Sequence, residues 1–153
     1  MRKDLIFSDR EAEFLRELVK QNVNFMIVGL SAAALQGAPV VTQAVDLWFE
    51  NLEDPGIRKA LRKVRGCYIP PIAMNPPMFE GDAVNLFDIV MHMHGLNEFK
   101  DERKNTIKVP LGRFKVEVLK LERIIASKKA TGRDKDKLVL PVLSDALKTI
   151  QSL

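Results

Sequence analysis

The sequence predicts a mixed α/β or α+β domain: a modest sheet with helices packed against it. Three observations support that fold class. Short apolar runs bounded by Gly, Pro and Asn alternate with amphipathic segments. Regular elements follow in the order helix, strand, helix, strand, helix, strand, hairpin, helices, a mixture that points to layered architecture. The chain has 153 residues, 46% of them hydrophobic, which suits one domain with its own core and excludes a disordered tail.

Each element has its local cause. Ser8-Asp9-Arg10-Glu11 has the spacing of a capping box, so a helix should begin there. Phe14, Leu15, Leu18 and Val19 then supply its apolar face, and Asn22 to Asn24 end it. Phe25 to Val28 is a short apolar run before Gly29 and reads as a strand buried on both faces. Ser31 to Gln36 is alanine-rich, a short helix stopped by Gly37 and Pro39. Val45 to Phe49 is the second strand. Asp54-Pro55 starts a helix bearing Arg58, Lys59, Arg62, Lys63 and Arg65, charges that suit a solvated face. Four prolines between Pro70 and Pro77 forbid regular structure and predict a loop fit to act as a lid or specificity element.

Further along, Ala83 to Met93 reads as a long strand and Asn97 to Asn105 as an exposed, charged connection. Thr106 to Val109 and Arg113 to Leu119 should pair as a hairpin around Pro110-Leu111-Gly112. Two helices close the chain, near 121–131 and 141–151, with Pro141 suited to the first turn of the second. No internal repeat or low-complexity tract interrupts this order.

The bulk numbers restrict function. A formal charge of +4 favours anionic ligands such as nucleotides or nucleic acid, and equally serves plain solubility. A single cysteine, Cys67, excludes an intrachain disulfide and is expected to be a buried structural thiol in a reducing compartment. Met1-Arg2-Lys3-Asp4 is followed by only a three-residue apolar stretch. With no signal-like or membrane-spanning segment, a cytoplasmic protein is expected.

Two carboxylates interrupt apolar strands: Asp46, between Val45 and Leu47, and Asp88, in Leu86-Phe87-Asp88-Ile89-Val90. An ionised carboxylate in such a setting is costly unless paired, hydrogen-bonded or bound to a cation. On neighbouring strands the two would form an oxygen-rich site for Mg²⁺; at strand ends each would instead reach solvent or an arginine. Leu121, Ile124, Ile125 and Lys128 fall on one helical stripe, so Lys128 faces inward and meets either a buried anion such as a phosphate or an acid such as Asp136. Lys129, Arg133 and Lys135 follow closely. His92 and His94, read on the same strand face as Asp88, have a spacing that suits a transition metal, although no third firm ligand accompanies them.

These blocks carry a resemblance. Val23-Asn24-Phe25-Met26-Ile27-Val28-Gly29, then Ala32-Ala33-Ala34-Leu35-Gln36-Gly37, Pro39, Thr42 and Val45-Asp46-Leu47-Trp48, resemble the opening of small bacterial nucleotidyltransferase-like proteins of the polymerase-beta-type superfamily. The far end agrees: Val118 to Lys128, followed by Gly132-Arg133-Asp134-Lys135-Asp136, is similar to that group's Ser-Lys and Arg-x-Lys-Asp helical segments. The resemblance implies a nucleotidyltransferase-like fold over 1–153 as a single domain. Mg²⁺ would be held by Asp46 and Asp88, and a nucleoside triphosphate would be contacted by Gly29, Ser31, Thr42, Lys128 and Arg133. A nucleoside monophosphate would pass to a protein, RNA or small acceptor, with no membrane partner.

The chain departs from the pattern at four places. Leu30 stands at a glycine position, Gln36 at a frequent histidine and Val40 at a frequent arginine. Ala44 stands where the first metal-binding aspartate belongs. Losing that ligand predicts an impaired transferase. The other expectation is a non-catalytic relative, an antitoxin-like or regulatory module that binds nucleotide, RNA or protein.

Overall fold

A computed structural model describes residues 7–153. The amino-terminal stretch 1–6, on which the expectation of a leaderless start partly rests, lies outside the described residues. Helix α1 (Asp9–Lys20) begins on the expected capping box. The Ser8 hydroxyl accepts from the Glu11 amide, and the Glu11 carboxylate accepts from the Ser8 amide. Strand β1 (Phe25–Val28) is buried along its whole length and runs straight into α2 (Gly29–Leu35). Strand β2 (Val45–Phe49) returns beside it, and Asp54 caps α3 (Pro55–Lys63) through the Gly56 amide.

The middle of the chain is where expectation and structure part. The proline-rich loop is the tip of a small two-stranded sheet, β3 (Cys67–Ile69) against β4 (Met78–Glu80). Cys67 is exposed on it, contrary to the buried thiol expected from composition. The long strand expected from Ala83 to Met93 is only β5 (Phe87–Val90). Ala83 and Val84 are buried from within a turn, so their apolarity reflects packing without strand pairing. The connection expected to be exposed carries a short helix, α4 (Phe99–Glu102), followed by a 3₁₀ turn over Arg103–Asn105. Phe99 and Glu102 are both buried, the latter fully.

The hairpin forms between the expected segments, β6 (Thr106–Leu111) with β7 (Phe114–Leu119), but Pro110 and Leu111, expected in the turn, are paired within the ladder, so the turn lies at Gly112-Arg113. It is followed by α5 (Leu121–Thr131) and α6 (Asp134–Gln151). Helix α6 starts seven residues before Pro141, which therefore lies inside it instead of in its first turn. The start is set by Asp136, whose carboxylate accepts from the Arg133 amide at 3.3 Å. A proline signals only tolerance for a helix start; a carboxylate three residues into the helix supplies the missing hydrogen-bond partner.

The main sheet has the order β5-β2-β1-β7-β6. Strand β1 is antiparallel to β2 and parallel to β7, while β2 is parallel to β5. The fold is thus mixed α/β with a five-stranded mixed sheet, as the sequence predicts. Its core runs from Phe14, Leu15 and Leu18 of α1 through Met26, Ile27, Leu47 and Trp48 of the central strands to Leu119, Leu121 and Ile124. Helix α2 packs on β2 and α5, and α5 packs on α6. Among the described residues no helix is long and apolar enough to cross a membrane.

Candidate functional site

The parallel pairing of β2 with β5 sets Asp46 directly beside Asp88. Register partners on adjacent strands present their side chains to the same face, with strands about 4.8 Å apart. The two acids singled out by their apolar flanks are therefore neighbours. On the other side of β2, Asp46 is in register with Val28, the last residue of β1. The chain turns there at Gly29, whose φ is +71°. A Cβ at this position would stand 2.6 Å from Asp46 Oδ2. Only glycine fits both the left-handed backbone and the close approach of the carboxylate.

Asp46 is half-buried, and its carboxyl is pushed above the usual carboxylate range. Burial is the main cause and the adjacent Asp88 charge the second; Lys128 and Lys135 oppose both from a distance. Two carboxylates brought together with burial on one of them form the arrangement in which a bound cation is most favourable.

A cleft of about 320 Å³ opens beside Asp46. Its lining combines Asp46, Ala44 and Leu30 with the basic residues Lys128, Arg133 and Lys135. Ala44 lies in the bend just before β2 and lines the same cleft as Asp46, leaving a methyl group where an aspartate would add a third carboxylate. Thr42 fixes the approach to β2, its hydroxyl donating to the Ala44 carbonyl at 2.8 Å. Asp88 is exposed and lies outside the lining of the cleft itself, next to Asp46.

Of the two partners expected for Lys128, the structure shows the acid, Asp136. Lys128 lines the cleft, and its ammonium pairs with the buried Asp136 at 3.3 Å. Arg133 also engages Asp136, Nε to Oδ2 at 2.9 Å. That doubled pairing holds the Asp136 carboxyl below its ordinary range; the Arg133 hydrogen bond is the largest cause, against burial. Ser31 is placed differently from the other candidates. Its buried hydroxyl donates to the Val28 carbonyl at 3.0 Å and shapes the strand–helix junction.

Two positioning features escaped the sequence reading. The Gln36 side chain donates to the carbonyls of Ala32 and Leu119 and accepts from the Leu121 amide at 3.0 Å. It thereby ties the end of α2 to the start of α5, whose own N-cap, Lys120, supplies no side-chain bond. Lys135, noted in sequence only as a following charge, lines the cleft. The signal for Asp136 was present in its spacing from Arg133, three residues ahead of it.

The histidines do not assemble with Asp88 as a strand ladder. Strand β5 ends at Val90, so His92 and His94 lie beyond the alternation that would stack them, and both are exposed. The loop they occupy docks on α5, where the Ser127 hydroxyl donates to the His94 carbonyl at 2.8 Å. Among the described residues no group of three or more His, Cys, Asp or Glu side chains is placed to hold a metal ion.

The fold is similar to a crystal structure of the aminoglycoside nucleotidyltransferase ANT(2")-Ia in complex with adenylyl-2"-tobramycin. The TM-score is 0.59 at 12% identity, covering 89% of this chain and 86% of that one. At that identity the likeness shows the fold alone, and that fold is nucleotidyltransferase-like. No protein-family model matches the sequence, and no curated protein matches it.

Proposed function

We propose that the cleft beside Asp46 binds a nucleoside triphosphate together with a divalent cation, and that the chain is a nucleotidyltransferase weakened by Ala44. The observation that carries this reading is the register pairing of Asp46 with Asp88 at the edge of a cleft that Asp46 lines together with Lys128, Arg133 and Lys135. Cationic side chains suit the phosphates, and two hard oxygen donors suit Mg²⁺. The residues present fit such an ion: Asp46 is desolvated and raised by its acidic neighbour, a state that a cation would relieve. Asp46 and Asp88 would hold it, and when bound it would supply charge stabilisation at the transferred phosphorus.

The residues of the chain account for the other roles. Lys128, Arg133 and Lys135 bind and orient the phosphates. Gly29 lets the backbone turn close under Asp46. Asp88, the more exposed acid, takes the proton of the acceptor hydroxyl as its oxygen bonds to the α-phosphorus and the bond to pyrophosphate breaks. With two carboxylates in place of three, one cation position is expected, and turnover should be slow.

The decisive experiment follows pyrophosphate release and label transfer from the four nucleoside triphosphates with Mg²⁺, in the unmodified chain and in Ala44→Asp. Stabilisation of the unmodified chain by triphosphate, with transfer rising by about tenfold or more in Ala44→Asp, is the expected result. Absence of both triphosphate stabilisation and transfer in the two proteins defeats the reading. A second reading draws on Ala44 and Leu30 in the cleft wall: the site binds nucleotide, RNA or protein without chemistry. Saturable binding with no transfer even in Ala44→Asp supports it.

A further inference from the structure

Lys128 and Arg133 come from different elements, one inside α5 and the other just before α6, yet both reach the same carboxylate. That carboxylate, Asp136, is 1% exposed. It accepts from the Arg133 amide at 3.3 Å, from Arg133 Nε at 2.9 Å and from Arg133 Nη2 at 3.4 Å, and it pairs with Lys128 Nζ at 3.3 Å. Lys135 and Val139 line the same cleft as Asp136. Long basic side chains lose considerable rotamer freedom on binding a ligand, and a fixed partner removes that freedom beforehand.

We propose that Asp136 is a positioning residue for anion recognition: one buried carboxylate holds Lys128 and Arg133 as a preformed pair aimed at the phosphates of the ligand. This rests on the reading that the cleft takes a nucleoside triphosphate. Asp136 as a helix cap alone is a different role, and Asn separates the two. An asparagine oxygen still accepts from the Arg133 amide, but it carries no charge to hold the two cations.

The direction of the effect is diagnostic. Asp136→Asn removes a negative charge from the cleft, so background electrostatics alone would tighten the binding of an anion. Positioning requires the opposite. The test measures tripolyphosphate and Mg²⁺-nucleoside triphosphate binding by calorimetry in the unmodified chain, Asp136→Asn and Asp136→Glu. In the same proteins without ligand, nitrogen-detected NMR follows the Lys128 ammonium and the Arg133 Nε–H.

In the unmodified chain both side-chain signals should be slowly exchanging and visible, a requirement that involves no variant. Asp136→Asn should lose both signals while its backbone spectrum stays folded, and should bind roughly tenfold more weakly despite the loss of a negative charge from the cleft. Asp136→Glu should recover part of each. Equal or tighter binding by Asp136→Asn overturns the proposal, as do side-chain signals that are absent in the unmodified chain or persist in Asp136→Asn. If the unmodified chain binds neither ligand, the triphosphate reading fails. The signals then decide whether Asp136 holds the two cations.

Discussion

Glu102 and Asp46 are both acids drawn into the interior, and the protein treats them in opposite ways. Glu102 is completely buried, and each of its oxygens is occupied. Oε1 accepts from Arg123 Nε at 2.9 Å and Asn105 Nδ2 at 3.0 Å; Oε2 accepts from Arg123 Nη2 at 2.6 Å and the Asn97 amide at 2.9 Å. The Arg123 hydrogen bond, with the lesser help of Asn97, Asn105 and the Arg123 charge, lowers its carboxyl from 4.5 to about 2 against the effect of burial. Asp46 has burial and a like charge against it, and is raised. Saturated hydrogen bonding makes a buried charge part of the scaffold; an acid left beside another acid carries a strained charge, the mark of a candidate functional site.

The two regions are linked mechanically. The Glu102–Arg123 fork fixes the first turns of α5 to α4, and Gln36 fixes the start of α5 to α2. Lys128 sits further along that helix. The rigid acid therefore holds the helix from which Lys128 reaches the cleft that Asp46 also lines.

Breaking the rigid side should have the largest effect. Arg123→Met leaves Glu102 buried without its fork and should destabilise the fold by about 3 kcal/mol or more in urea unfolding. Gly29→Ala comes next. The left-handed φ and the 2.6 Å approach to Asp46 Oδ2 give an expected loss of roughly 2 kcal/mol, together with weaker divalent-cation stabilisation. Asp46→Asn should go the other way, raising the melting temperature at neutral pH by an amount worth about 1 kcal/mol, while erasing any stabilisation by Mg²⁺.

Acid titration sharpens the contrast further. Glu102 has a folded value below its ordinary 4.5, so its contribution is present above that pH and is lost as pH falls toward about 2. Asp46 has a folded value above its ordinary 3.8; its contribution is present below 3.8 and lost as pH rises through the raised value. The stability advantage of Asp46→Asn should therefore shrink on acidification through that interval. The disadvantage of Glu102→Gln should shrink only between 4.5 and about 2. Chemical denaturation at several pH values distinguishes the two slopes.

The sequence was most informative where one local cause dominated. Continuous apolar runs placed β1 and β2, and the capping box placed α1. The same runs exposed Asp46 and Asp88 as misfits, and the register then made them neighbours. What escaped was non-local. Cys67-Tyr68-Ile69 and Met78-Phe79-Glu80 are too short to signal strands and pair only with each other across the proline loop. Ala83 and Val84 carry strand-like apolarity, but they are buried from a turn. Pro141 drew the start of α6 too late, because the actual start depends on Asp136 reaching back to Arg133. Gln36 had no local mark at all: two of its three partners lie more than eighty residues away.

The most direct test is to titrate the chain with Mn²⁺ as a spectroscopic substitute for Mg²⁺, with a non-hydrolysable nucleoside triphosphate present, and to count bound ions by electron paramagnetic resonance. The account predicts one ion per chain, lost in Asp46→Asn and sharply weakened in Asp88→Asn. No bound ion, or one whose affinity neither substitution changes, would contradict it.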